Sequence, residues 1–203
     1  MNIFLQGLTM GLAYVAPIGM QNLFVINSAL TNKRKRALLT ALIVIFFDIT
    51  LSLACFFGIG TIMQRFKWLQ MVILCVGSLI VIYIGISLLR SKTQDLEKDQ
   101  PTMSIKKTIS SACVVTWFNP QAIIDGTMML GAFHVTLAAG QETPFITGVA
   151  CASFSWFIGL TFLISLVSSK FNAKVMRWIN IVCGVIIIGY GVKLFVSFVQ
   201  MIL

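Results

Sequence analysis

Charge is what this chain has least of. Only 10% of its 203 residues are charged, and six acids stand against fifteen Lys and Arg. With 58% hydrophobic residues, a soluble domain of this size could not hide its apolar surface, which excludes an ordinary water-soluble fold. Paired cysteines are also missing. Cys55, Cys75, Cys113, Cys151 and Cys183 all fall in apolar segments and form no CxxC, so a disulfide framework or zinc site is not indicated. There is one histidine, His134, placed at the outer end of an apolar run, where an interfacial position is expected. No P-loop is present, so ATP is not the direct driver of any transport, and no cofactor is expected. The N-terminus lacks the basic region of a cleavable signal peptide, and its apolar segment is expected to stay as a helix.

What the chain has instead is long uncharged runs. Residues 1–32, 68–89 and 143–169 carry no charged side chain, residues 37–64 carry only Asp48, and residues 108–141 only Asp125. Each exceeds the roughly 20 residues needed to cross hydrocarbon. A last run from Trp178 to the end is interrupted only by Lys193, which can snorkel to a headgroup region. The expectation is an all-α integral membrane protein with six transmembrane helices. Whether residues 194–203 finish helix six or lie along the surface is open.

Basic residues cluster between helices one and two (Lys33, Arg34, Lys35, Arg36), three and four (Arg90, Lys92, Lys98, Lys106, Lys107) and five and six (Lys170, Lys174, Arg177). The opposite side has Arg65 and Lys67, with Lys193 if it reaches there. The positive-inside rule puts the richer side in the cytoplasm and both termini outside. This topogenic use accounts for the net charge of +9 without nucleic-acid binding. Trp68 and Trp178, at helix ends, suit an aromatic belt.

The mixed-charge stretch 91–107 reads as a cytoplasmic linker between residues 1–90 and 108–203. Three helices on each side of it would lie in opposite senses, as two inverted repeats. A faint repeat supports this. Pro17 matches Pro120, and a common offset pairs Gly77 with Gly184, Tyr83 with Tyr190, Ala41 with Gly148, Asp48 with Ser155 and Ser52 with Gly159.

Helices one and four, counterparts in that repeat, carry the prolines. "VAPIGMQN" and "WFNPQAIID" should break near Pro17, Gly19 and Pro120, because proline lacks the N–H the helix needs. Freed backbone groups in a membrane need protein partners or a water-lined cavity, and broken helices in transporters mark midplane sites. A plain packing kink is the competing explanation. The two aspartates argue against it, since each costs roughly 2.5 to 3.5 kcal/mol to place mid-helix and no Lys, Arg or His lies mid-helix to pair with them. Asp48 and Asp125 would hold cationic groups, half-helix N-termini near the prolines would face a carboxylate, and Gln21, Asn22 and Asn119 would add neutral hydrogen bonds. A basic amino acid carries all of those charges.

"APIGMQN" (16–22), "NKRKRA", Asp48, "TWFNPQAIID" (116–125) and "SFSWF" (153–157) resemble the lysine exporter (LysE/ArgO) family of bacterial amino-acid efflux proteins, over nearly the full chain. The N-P-x-x-x-x-D spacing resembles the basic-amino-acid exporters of that family, whose neutral-amino-acid relatives have an apolar residue at the position of Asp125. The resemblance implies export of arginine, lysine or an analogue across the bacterial inner membrane, driven by the electrochemical gradient through alternating access. Met20 stands where the family often has proline, and Gln121 where histidine or a lysine-like residue is frequent. A neutral-amino-acid or divalent-metal exporter is the alternative; an intramembrane aspartyl protease fits poorly, because neither acid has a Gly-x-Gly-Asp setting. No enzyme activity is expected. Partners are the small-molecule substrate and membrane lipid, with proton exchange and homo-oligomerisation open.

Overall fold

In this computed structural model, residues 2–58, 66–90, 103–168 and 173–202 are described. The linker from 91 to 102, and with it most of the expected boundary between halves, lies outside them, as does the Arg65 turn. The elements are α1 (Ile3–Val15), α2 (Met20–Thr31), α3 (Arg34–Phe56), α4 (Lys67–Arg90), α5 (Ile105–Trp117), α6 (Pro120–Gly126), a π-helical stretch Thr127–Gly131, α7 (Ala132–Thr136), α8 (Glu142–Ser168) and α9 (Ala173–Ile202). Residues 194–202 continue α9, which settles the open end of helix six as helix.

Local chemistry sets where these helices start and stop. Asn2 caps α1 by accepting from the Phe4 amide at 3.0 Å. Pro17 then stops it, because its ring nitrogen cannot donate back along the helix. The chain restarts at Met20 with Gly19 extended (φ −121°), and α1 and α2 meet at a 78° bend. In the fourth run the break falls at Phe118 and Asn119. Here Pro120 occupies the first turn of α6, where a missing N–H costs nothing, and Asn119 caps it by accepting from the Ala122 amide at 3.4 Å. At the far end of α3, Gly58 takes φ 92°, a left-handed conformation that glycine adopts without a Cβ clash.

Among the described residues, three helical stretches (Arg34–Phe56, Glu142–Val167, Gly184–Met201) are long and apolar enough to cross a membrane. The bent α1–α2 pair makes a fourth if it is one span. The sequence expectation was six. The fourth run is divided among α5, α6, the π stretch and α7, and among the described residues of α4 an apolar segment runs from Leu74 to Ile86.

The core lies where α2, α3, α5 and α8 meet, built from Leu23, Val25, Val44, Ile45, Val115 and Phe157. α4 and α9 run against one another along their length, as do α1 and α8. The α1–α8 crossing is backbone on backbone. A Cβ on Gly7 would stand 1.9 Å from the Phe145 carbonyl oxygen, one on Gly11 would stand 2.8 Å from the Val149 Cα, and one on Gly148 would stand 2.2 Å from the Phe4 carbonyl oxygen. Small residues are what allow such approach in a medium where packing, not water exclusion, drives helix association. Outward faces are apolar: Phe46, Leu163 and Phe162 are more than half exposed. Trp68 and Trp178 are exposed as well, at the starts of α4 and α9.

Candidate functional site

Asp48 is fully buried on α3, 14 residues beyond Arg34 and so about 21 Å along the helix from its basic start. Its two oxygens accept from neutral donors. Gln21 Nε2 on α2 donates to Oδ1 at 3.1 Å, and Ser153 Oγ on α8 donates to Oδ2 at 2.5 Å. The same Gln21 nitrogen also reaches Thr116 Oγ1 on α5, at 3.1 Å. Four helices thus meet in this cluster, two from each side of the linker. No basic side chain pairs with it among the described residues.

The α1–α2 break lies one turn from this cluster. Asn22 closes it: Nδ2 donates to the carbonyl oxygens of Val15 (3.0 Å) and Pro17 (2.7 Å), and Oδ1 accepts from the Trp156 indole on α8 at 2.8 Å. Both carbonyls belong to the stretch that α1 leaves unpaired. The second broken run has a related tie, Trp117 Nε1 donating to Thr50 Oγ1 on α3 at 3.3 Å.

Asp125 sits apart from Asp48, half-buried on α6, where Oδ1 accepts from Gln121 Nε2 at 2.7 Å. The two acids share no hydrogen-bonding partner. Tyr14 on α1 packs beside α6: its hydroxyl approaches the Ala122 carbonyl at 3.4 Å, and its ring edge lies beside Gly126. Cys55 and Leu51 on α3 pack with Ile123, fixing α6 against the end of α3. The π-helical stretch follows, and Thr127 Oγ1 bonds the Ile123 carbonyl at 2.7 Å.

Of the residues singled out from sequence, Gln21 and Asp48 are in direct contact, and Gln21 follows two residues after Gly19 at the break. Asn22 and Asn119 lie at the two breaks, where their amides satisfy backbone groups. Pro17 and Pro120 mark those breaks, with Pro17 exposed and Pro120 buried. Asp125 bonds Gln121 on its own helix and has no hydrogen bond to the Asp48 cluster among the described residues. Ser153, Thr116, Trp156 and Tyr14 were missed. The first three fall inside the segments that carry the family resemblance, yet no local pattern says which neighbour such a side chain faces. His134 stands at the end of α7 with its ring against Phe56 and Phe57, and its Nδ1 is 3.8 Å from Glu142 Oε1. Among the described residues, no three His, Cys, Asp or Glu side chains converge as metal ligands would.

The site is a carboxylate held in an apolar core by donors that a cation could replace, beside a helix break that presents carbonyl groups. The family model described as LysE type translocator matches residues 12–197. Proteins named arginine exporter protein ArgO are similar to this chain. Those from Klebsiella pneumoniae (strain 342) and Salmonella schwarzengrund (strain CVM19633) are each 31% identical over 188 residues, covering 90% of this chain and 88% of theirs. The one from Salmonella enteritidis PT4 (strain P125109) is 30% identical over the same coverage. No solved structure matches. Apolar spans, two broken helices, a buried aspartate between them and a family match over most of the chain lead to one statement: this chain belongs to the LysE type translocators.

Proposed function

We propose that this protein exports arginine, lysine or a close analogue across the bacterial inner membrane, as a secondary transporter working by alternating access. The observation that carries the reading is the Asp48 cluster. A buried carboxylate served only by an amide and a hydroxyl has a place for a guanidinium or ammonium group, and the similar proteins are named arginine exporters. A cation taking the Asp48 oxygens would release Gln21 and Ser153, which come from opposite sides of the linker. Occupancy of the site would thereby loosen one half from the other. Asp125 and Gln121 offer a second polar station beside Tyr14. A neutral amino acid would bring one cationic group, its α-ammonium, where a basic one brings two for Asp48 and Asp125, and a divalent metal would find too few acids.

Six spans in two inverted three-helix repeats, 1–90 and 108–203, form the architecture of this proposal. The pairing of helices supports it. Exchanging helix one with four and two with five turns the α1–α8 contact into the α5–α3 contact, and leaves α3–α8 and α4–α9 paired with each other. Both termini would face outward. In keeping with this, the basic starts of α3 and α5 meet at one end, where Arg36 Nη2 donates to Thr108 Oγ1 at 2.8 Å. Arg177 Nη1 donates to the Leu89 carbonyl at 2.9 Å, bringing the third basic turn to the end of α4.

The experiment is efflux of radiolabelled arginine and lysine from dipeptide-fed cells, comparing the wild type with Asp48→Asn and Asp125→Asn at matched membrane abundance. Efflux should collapse in Asp48→Asn and fall in Asp125→Asn. Undisturbed efflux in both would make the aspartates structural, and absence of basic-amino-acid efflux from the wild type would overturn the proposed cargo.

A further inference from the structure

Outside the Asp48 cluster, one surface combines two chemistries. A groove of about 310 Å³ opens between α3 and α5, lined by Leu42, Ile43, Phe46, Phe47 and Ile109. That volume is at the lower end of the roughly 300 to 1,000 Å³ usual for small-ligand sites. Its lining is wholly apolar, and Leu42, Phe46 and Ile109 are each more than a third exposed. Above it, toward the starts of both helices, the surface turns basic.

Helical spacing fixes the alignment. Lys35 precedes Leu42 by seven residues, which puts the two on one face of α3 about 10 Å apart along its axis. Lys106 precedes Ile109 by three, one turn up the same face of α5. α3 and α5 run in the same direction, because Arg36 meets Thr108 near their starts and Thr50 meets Trp117 near their ends. Both N-termini therefore point their positive dipole ends the same way as the lysines. Lys35, Lys106 and Lys107 are exposed, and none forms an ion pair among the described residues. Arg36, by contrast, is committed to Thr108 and the Met103 carbonyl.

We propose that this groove and the basic helix starts above it form a binding site for one anionic phospholipid of the surrounding leaflet, its phosphate between Lys35 and Lys106 and an acyl chain along Leu42, Phe46 and Ile109. Charge selects the occupant. A zwitterionic lipid would fill the groove equally well and bring no net charge to the lysines, whereas an anionic headgroup gains from each of them. The inference rests on the chain lying in a bilayer and is independent of what it transports.

The test uses the delipidated full chain in neutral detergent, titrated with phosphatidylglycerol or phosphatidylcholine and read by native mass spectrometry. One phosphatidylglycerol should bind with at least tenfold preference over phosphatidylcholine, and free glycerol phosphate at the same concentration should not displace it. Lys35→Gln with Lys106→Gln should weaken that binding about 25-fold, and Ile109→Trp, which fills the groove, should weaken it as well; Lys193→Gln, an exposed lysine on α9, should not. Equal binding of the two lipids by the wild type, or displacement by glycerol phosphate, would overturn the proposal without reference to any variant. So would loss in the lysine variant with full retention in Ile109→Trp, since binding would then be headgroup attraction alone. Because the readout is lipid bound and not substrate moved, failure here is distinct from failure of the export reading.

Discussion

Replacing Asn22 separates its role in holding the helix break from any role in contacting substrate. Its amide makes three hydrogen bonds, and their partners leave no freedom in which way it faces: two carbonyls that can only accept, and an indole that can only donate. Hydrogen bonds between membrane helices are worth about 0.6 kcal/mol on average and up to about 1.7. Asn22→Ala should therefore cost about 2 to 5 kcal/mol. Asn22→Asp, nearly identical in shape, should cost at least as much, since a carboxylate oxygen would face the Val15 and Pro17 carbonyls where an N–H₂ now donates. Trp156→Phe removes one of the three bonds, and its cost should almost vanish in the Asn22→Ala background. The assay is unfolding of the purified protein in mixed micelles with increasing dodecyl sulfate, followed by far-UV circular dichroism so that loss of a tryptophan does not disturb the signal. An Asn22→Asp protein as stable as the wild type, or additive losses in the double variant, would refute this account of the break.

Three other substitutions have outcomes set by the same contacts. Ser153→Ala, which strips a donor from Asp48, should lower basic-amino-acid efflux by roughly tenfold, while Ser155→Ala two residues away, bonded only to its own helix, should leave it within about twofold; vesicle transport at matched abundance checks both. Gly148→Ala should separate α1 from α8 and sharply reduce folded protein in the membrane, measured by fluorescence-detected size exclusion, because the new methyl meets backbone that cannot move aside. Tyr14→Phe should change stability by less than about 1 kcal/mol in the same micelle titration, since the bond it loses is long and weak.

The parts of this protein written in local chemistry were legible in its sequence, and the parts written in tertiary contact were not. Proline at 17 and Asn-Pro at 119–120 announce helix breaks, because a missing N–H acts within one turn wherever it occurs. Asp48 was legible for a similar reason: a carboxylate in an uncharged run is expensive in any arrangement. Its partners were not. Ser153 and Ser155 look alike in "SFSWF", and only the rotation of α8 against α3 turns one toward Asp48 and the other outward. Asn22 and Asn119 were conspicuous as polar groups in apolar runs, yet both amides serve the breaks beside them. The π-helical stretch from Thr127 to Gly131 left no sign at all. Its wider turn depends on how α6 and α7 seat against α3, and no single-sequence pattern encodes that.

The glycine crossing of α1 and α8 also bears on how the molecule can deform. Two helices separated by side chains can shear, because rotamers re-sort as one surface slides over the other. Backbone lying on backbone has no such bearing. α1 and α8 are in effect riveted, so whatever tilts α8 carries α1 with it. The angular difference would then fall on the four residues from Ala16 to Gly19, where the Asn22 bond to the Pro17 carbonyl is what has to give. The rivet makes that short stretch a joint.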